Sequence, residues 1–312
     1  MKITNCVYWY KSDSSSCNSY LILNDDFGVL IDPGTTLRHR PKKILNEMRK
    51  DGLNQNKIEK LWLTHCHPDH SQAAKFWATL LNLKIFCHPE TKKILTAKDP
   101  LVALFDRETK AAGNYQKELA SGFDLFIINI VSEFIYGKWE PLKIEECFKE
   151  DDLIEFGIRI FFPASHSPDD VCFWLEKDKI IITGDLFDPH RKNPYAPVLN
   201  LPSANLNQCL KATKRIIELE PEILLPGHGR PIIGKQKILD YLQKILQTMQ
   251  VYKSKTLEYL KQNPQIKFSE IGQKLETRKN ISANIFTSHS TFSILGFIIL
   301  KALKEDGSCQ LI

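Results

Sequence analysis

Apolar residues alternate in short runs over the first three quarters of this chain and recur at helical spacing over the last. Ser19-Tyr20-Leu21-Ile22-Leu23, a turn at Asn24-Asp25-Asp26, and Gly28-Val29-Leu30-Ile31 predict a hairpin that closes on Asp32-Pro33-Gly34. Residues 41–50 read as a helix, 58–64 as a short buried strand, and Leu83-Lys84-Ile85-Phe86-Cys87 as the next strand. Further strands are predicted at 153–156 and 158–162, a hairpin at 171–175 and 179–183, a helix at 205–218 and a strand at 222–225. Strand and helix alternate in this way in an α/β sandwich.

Two regions depart from that alternation. Between Thr96 and Pro141 the period loosens, and Phe105, Tyr115, Phe123, Phe126, Phe134, Tyr136 and Trp139 lie among charges. This stretch, 96–141, is expected to be a helical insertion that roofs the site and walls a substrate pocket with aromatic rings. The competing expectation is that the rings pack the insertion onto the sandwich. After Gly234 the pattern turns helical from Lys235 to about Gln262, breaks at Pro264, and resumes at 268–275 and 291–303, with Gly307 as the stop. A catalytic domain at 1–234 and a small helical domain at 235–312 are therefore expected.

Composition narrows the class only modestly. A 312-residue chain with 43% hydrophobic and 25% charged residues is ordinary globular material. The start lacks the apolar core of a signal peptide and no apolar run has the length of a membrane span, so a cytoplasmic protein with no membrane partner is expected. The eight cysteines form no Cys-x-x-Cys pair, which argues against a disulfide framework or a zinc ribbon. Net charge is +5. It is unevenly placed: residues 235–312 carry 12 Lys/Arg against 6 Asp/Glu, which leaves 30 against 31 for residues 1–234. A basic tail suits either nucleic acid or a solvated helical face.

Chemistry concentrates in four segments, each following an apolar run. Thr64-His65-Cys66-His67-Pro68-Asp69-His70 is the densest; His166 in Ala-Ser-His-Ser-Pro, Asp185 in Thr-Gly-Asp-Leu and His228 in Pro-Gly-His-Gly complete seven candidate metal ligands. Alternation in an extended segment puts His65 and His67 on one side and Cys66 on the other, as a packing residue. A helical entry at Pro68 aims Asp69 and His70 at a neighbouring point, which suits two metals better than one. Imidazole and carboxylate donors suit Zn²⁺, with Fe or Mn as alternatives, and two ions about 3.5–4 Å apart can share a water acidified to hydroxide. Asp69 is the candidate to orient that hydroxide or receive its proton. His39, His88, His190 and His289 are expected to be structural or exposed. Arg191 and Lys192, just past Asp185, are candidates to bind an anionic substrate group.

The H-x-H-x-D-H string and the three isolated ligands resemble the metallo-β-lactamase superfamily over roughly residues 1–235, and every position of the glyoxalase II-like ligand pattern is filled. The resemblance implies an αββα sandwich in which His65, His67 and His166 bind one metal, Asp69, His70 and His228 bind a second, and Asp185 bridges them. The Asp-Pro-Gly hairpin is a typical opening of the family. Ser165 stands where many relatives have glycine, and 96–141 is longer than compact members carry. The three tail helices loosely resemble the helical or winged-helix tail of the lactamase-like endoribonucleases and their hydrolase relatives.

These features favour a dinuclear metal hydrolase that acts on a small acyl compound: a thioester, ester or lactone. The alternative is an endoribonuclease or phosphodiesterase whose basic tail binds RNA. Only 42 residues separate Asp185 from His228, too few for the domain that β-CASP nucleases insert there. A flavodiiron-like oxygen reductase is disfavoured because His67 stands where those proteins carry glutamate. The expected partner is a small-molecule substrate; a homo-oligomer is left open.

Overall fold

The computed structural model describes residues 1–13, 16–115, 136–275 and 288–309, with side chains in the last stretch from Phe292. Two six-stranded sheets face each other. The first runs in chain order from β1 (Val7–Tyr10) through β2 (Ser19–Leu23), β3 (Gly28–Ile31), β4 (Ile58–Trp62) and β5 (Lys84–Cys87) to β6 (Glu146–Cys147). Its hairpins are antiparallel and β3 to β6 are parallel. The second sheet orders β7 (Leu153–Ile154), β8 (Ile158–Phe161), β9 (Cys172–Leu175), β10 (Ile180–Gly184), β11 (Ile223–Pro226) and β12 (Ile232–Ile233), antiparallel except for the β10–β11 pair.

Side-chain alternation builds the layers. Val7, Trp9, Tyr20, Ile22, Val29 and Ile31 of the first sheet meet Ile158, Ile160, Phe173, Leu175, Ile180 and Ile182 of the second in one buried cluster. Their chain neighbours point the other way. Tyr8, Leu21, Leu30 and Leu61 pack under the helices α1 (Arg40–Lys50), α3 (Ala74–Leu81), α4 (Pro89–Leu95) and α5 (Pro100–Ala112), through Ile44, Met48, Trp77, Leu95 and Leu104; α2 (Pro68–Ser71) is the single turn between β4 and α3. Cys172, Trp174, Ile181 and Leu224 face a second helical layer made of α6 (Leu206–Leu219), α7 (Lys235–Gln262), α8 (Phe268–Leu275) and α9 (Ser288–Glu305). The result is an αββα sandwich with a helical C-terminal region.

Local chemistry sets the helix starts. Asp99 accepts the N–H groups of Leu101 and Val102 ahead of Pro100, and Asn205 accepts that of Gln208. His88 caps α4 through Nδ1, His39 and His190 are exposed, and the side chain of His289 lies outside the described residues. The apolar faces of α7, α8 and α9 join the same buried cluster as the outer face of the second sheet. The regular elements of this tail among the described residues are the helices α7, α8 and α9, with no strand among them; the rest of the winged-helix expectation lies outside the described residues.

Of 96–141, the described residues contain α5 followed by a short helical turn at 113–115, while 96–99 and 137–141 are irregular. Tyr115 stacks edge-on against Phe268, 5.2 Å between centroids, and Trp139 packs against the core under the first sheet. Phe123, Phe126 and Phe134 lie outside the described residues. Among the described residues no helix is long and apolar enough to cross a membrane, and all eight cysteines are free thiols.

Candidate metal centre

All four ligand segments leave the C-terminal ends of strands: β4 leads to residues 65–70, β8 to His166, β10 to Asp185 and β11 to His228. They converge at one edge of the sandwich. There the seven side chains form two groups, His65, His67 and His166 in one, and Asp69, His70, Asp185 and His228 in the other.

In the first group His67 Nδ1 lies 3.0 Å from both His65 Nε2 and His166 Nε2. The opposite nitrogens are fixed: His65 Nδ1 is 3.0 Å from Thr64 Oγ1, and His166 Nδ1 is 2.9 Å from the Val198 carbonyl oxygen. Burial, and then the facing imidazole of His166, push His67 down to about 3. Burial and the neighbouring His70 and His67 rings likewise push His65 well below the imidazole range. Neutral imidazole is the form that binds a metal. Cys66 points away into the core under the first sheet, as alternation predicts.

In the second group His228 Nε2 is 3.0 Å from Asp69 Oδ2 and 3.5 Å from Asp185 Oδ2, and His70 Nε2 is 3.2 Å from Asp185 Oδ1. Asp185 also reaches the first group, 3.9 Å from His166 Nε2. Burial opposes ionisation of Asp69, yet His70 and His228 outweigh it and hold the carboxyl at about 2. Asp185 is also held well below the carboxylate range, against burial, by His228 and His70.

The backbone makes this approach feasible. Gly184, at φ +52, lies where β10 slips register against β11, and a Cβ there would stand 2.9 Å from the Thr64 side chain. The Gly227 N–H donates to the Gly184 carbonyl at 2.7 Å, and a Cβ on Gly227 would meet Asp185 Oδ1 at 2.1 Å. Only glycine fits between the Asp185 carboxylate and His228.

Several supporting residues carried no signal in the sequence beyond their polarity. Asp32, read there only as part of a turn, accepts the Thr64 N–H and hydroxyl at 2.8 and 2.7 Å and lies 2.8 Å from His70 Nδ1. Asn18 donates to the carbonyls of Pro226 and Gly229, both at 2.9 Å, and so grips the His228 loop from the opposite sheet; Tyr20 adds a 2.6 Å bond to Pro226. Asp170 accepts the N–H groups of Ser165, His166 and Ser167. Gln72 joins the Thr36 loop to the Lys138 carbonyl.

Arg191 and Lys192 sit on a loop against the His228 turn, where His190 would touch a Cβ on Gly229. Arg191 donates to the Pro197 carbonyl and to Asn200 Oδ1, both at 3.2 Å, and Lys192 is exposed. On the other side of the ligands, Pro68, Leu101, Tyr136, Lys138 and Trp139 line a cavity of about 270 Å³. Burial, then the charge of Asp69, raises the Tyr136 phenol to about 12, so its hydroxyl stays protonated near the ligands.

The sequence profile of the metallo-β-lactamase superfamily matches residues 13–228. The chain belongs to the metallo-β-lactamase superfamily. Relatives include a probable metallo-hydrolase, YybB of Bacillus subtilis, 22% identical over 56% of this chain and 66% of that protein, so just under two thirds of its length is spanned. A hydroxyacylglutathione hydrolase of Francisella philomiragia is 22% identical over 96% of this chain and 98% of its own. Among solved structures, a metallo-β-lactamase family protein of Thermus thermophilus superposes with a TM-score of 0.74 at 17% identity, covering 98% of this chain and 95% of that one. TTHA1623, solved in a di-iron-bound form, superposes with a TM-score of 0.52 at 24% identity over 72% of this chain and 94% of that one. This superfamily member is a metal-dependent hydrolase with a His/Asp cluster of ligand geometry at the edge of its sandwich.

The donor set itself tests the fit of a metal. His67 Nε2 is buried without a hydrogen-bond partner, and His70 Nε2 and Asp185 Oδ1 face only each other, 3.2 Å apart and without hydrogen-bond geometry, an arrangement costly in a finished interior. Cations at the two groups would satisfy the last two and offset the carboxylates.

Proposed function

We propose that this protein is a dinuclear metal hydrolase of small acyl substrates, a thioester, ester or lactone, working in the cytoplasm. The observation that carries the reading is Asp185, whose Oδ2 lies between the two groups, 3.5 Å from His228 Nε2 and 3.9 Å from His166 Nε2, while its Oδ1 faces His70. His65, His67 and His166 would hold one ion, Asp69, His70 and His228 the other, with Zn²⁺ favoured by the donors and iron as the alternative suggested by the di-iron neighbour. When bound, such ions supply Lewis acidity and lower the pKa of a water towards 7.

The chain's own residues do the rest. Asp69 and His228, the half-open members of the set, face the solvent side where substrate arrives. Asp69, ionised and paired with His228, is placed to take up the proton of an attacking water and release it to the leaving group. Gly227 keeps that corner small, and the buried Asp32 holds the His70 ring in place. The full-length alignment with a hydroxyacylglutathione hydrolase supports an acyl substrate.

The test is a screen of the zinc-loaded protein against thioesters, esters and lactones beside single-stranded RNA and bis-nitrophenyl phosphate, with Asp185→Ala as control. Acyl turnover that the variant loses is expected. RNA or diester cleavage lost in the same variant, without acyl turnover, would replace this reading with a nuclease whose basic tail binds RNA.

A further inference from the structure

Asp169 lies three residues beyond His166 and is fully buried. Its Oδ1 accepts Arg107 Nη1 at 2.6 Å; its Oδ2 accepts the Cys66 N–H at 2.8 Å and the Thr91 hydroxyl at 2.7 Å. Cys66 is the residue between His65 and His67, so this carboxylate fixes the peptide on which two ligands hang. Arg107 comes from α5, in the insertion, and its Nη2 donates to Ser167 Oγ at 3.0 Å, next to His166. Its Nε donates to Glu108 at 2.9 Å, and Glu108 accepts both the N–H and the hydroxyl of Ser203, on the loop that carries Val198. The Val198 carbonyl is the partner of His166 Nδ1.

Apart from the Thr91 hydroxyl, which ties Asp169 to α4, each branch of this network ends at His65, His67 or His166 or at a residue beside one of them. Among the described residues, none of the hydrogen bonds of Arg107 or Asp169 reaches Asp69, His70, Asp185 or His228. The pair is buried, with the Arg107 side chain 14% exposed and that of Asp169 fully covered, and its remaining polar atoms find partners. Such a pair is a poor source of net stability but a stringent definer of geometry, because any displacement leaves a buried charge unpaired.

We propose that Asp169 and Arg107 form an ionic clamp that positions the three imidazoles of the His65, His67 and His166 site, and that the neighbouring Asp69, His70 and His228 site is set independently of it. Both are positioning residues, and the clamp rests on the reading of these groups as a metal centre. It gives the insertion a role that does not depend on roofing a pocket: α5 carries half of the clamp.

Chelator-competition titration of Zn²⁺ into the metal-depleted full chain separates the possibilities, with two binding steps expected for the wild type. Asp169→Asn is expected to weaken one step by about 10- to 100-fold and leave the other unchanged. Thr91→Val, which removes a single hydroxyl from Asp169, should weaken the same step by less, and serves if Asp169→Asn does not fold. In a His228→Ala background, which lacks the second site, Asp169→Asn should weaken the surviving step by the same factor. Equal weakening of both steps, or of neither, would overturn the clamp while leaving the metal centre standing. A wild-type chain that takes up no Zn²⁺ would overturn both.

Discussion

The two halves of the centre are built from different materials. His65, His67 and His166 are buried rings, the first two kept neutral by burial, and an ion pair between α5 and the His166 loop lies behind them. Asp69, Asp185, His70 and His228 bring the charge themselves, and what holds them is largely a neutral amide, a phenol and backbone, apart from Asp32 behind His70. The second half is also the open one: the side chains of His228 and Asp69 are 24% and 21% exposed. A rigid closed half beside an open charged half is what a site needs when one position orients a substrate's reacting group and the other admits it. Thr64 joins them, since its hydroxyl touches both Asp32 and His65.

The comparison is broken most severely at the residues both halves share. Gly227→Ala would drive a methyl to 2.1 Å from Asp185 Oδ1 and 2.8 Å from His70 Cε1. Both ions and turnover should fall, the latter by at least about 100-fold, since a displaced ligand should cost more than a lost supporting contact. Metal content by mass spectrometry alongside acyl turnover checks this; a variant that keeps two ions would show that Asp185 is not common to both halves.

Asp32→Asn comes next. The amide cannot serve the Thr64 N–H, the Thr64 hydroxyl and His70 together, and the His70 ring loses its anionic partner. One zinc step should weaken by about 10- to 100-fold, and it should be the step that Asp169→Asn leaves alone. If both steps weaken equally, Thr64 couples the halves into one unit.

Asn18→Ala probes the neutral support of the open half. It removes the bonds to Pro226 and Gly229 and leaves the buried Trp9 Nε1 without the Asn18 oxygen it donates to at 2.8 Å. A loss of about 1–3 kcal/mol is expected, read as a lower denaturation midpoint at unchanged slope, with a smaller effect on turnover than Asp32→Asn. A stability loss without any change in zinc binding would mean that the His228 turn holds its shape without that grip.

The clustering of the seven candidate ligands was legible in sequence because each pairs a distinctive side chain with the end of an apolar strand, and strand ends on one side of a sandwich converge. Their supports were not. Asp169 meets Cys66 across 103 positions and Arg107 across 62, and each looks like any other charged residue until the fold brings them together. Asp32 was visible only as a turn former, although its carboxylate, not its backbone alone, serves the site. The tail shows a related limit. Periodicity marks which face of α7 is apolar but not what covers it; the structure puts that face in one cluster with Trp174, Ile181 and Leu224 of the second sheet.

The smallest effect is expected at Arg191, and it bears on which side of the open half the substrate enters. Sequence placement beside Asp185 makes this guanidinium a candidate for a substrate anion. Its donors, however, are engaged by Pro197 and Asn200, on the loop whose Val198 carbonyl steadies His166. Arg191→Ala should therefore raise KM for neutral and anionic esters by the same small factor, by loosening that loop. A rise confined to anionic esters would instead place the guanidinium on the substrate, at the His228 rim, and would move the entry away from the cavity lined by Pro68 and Tyr136.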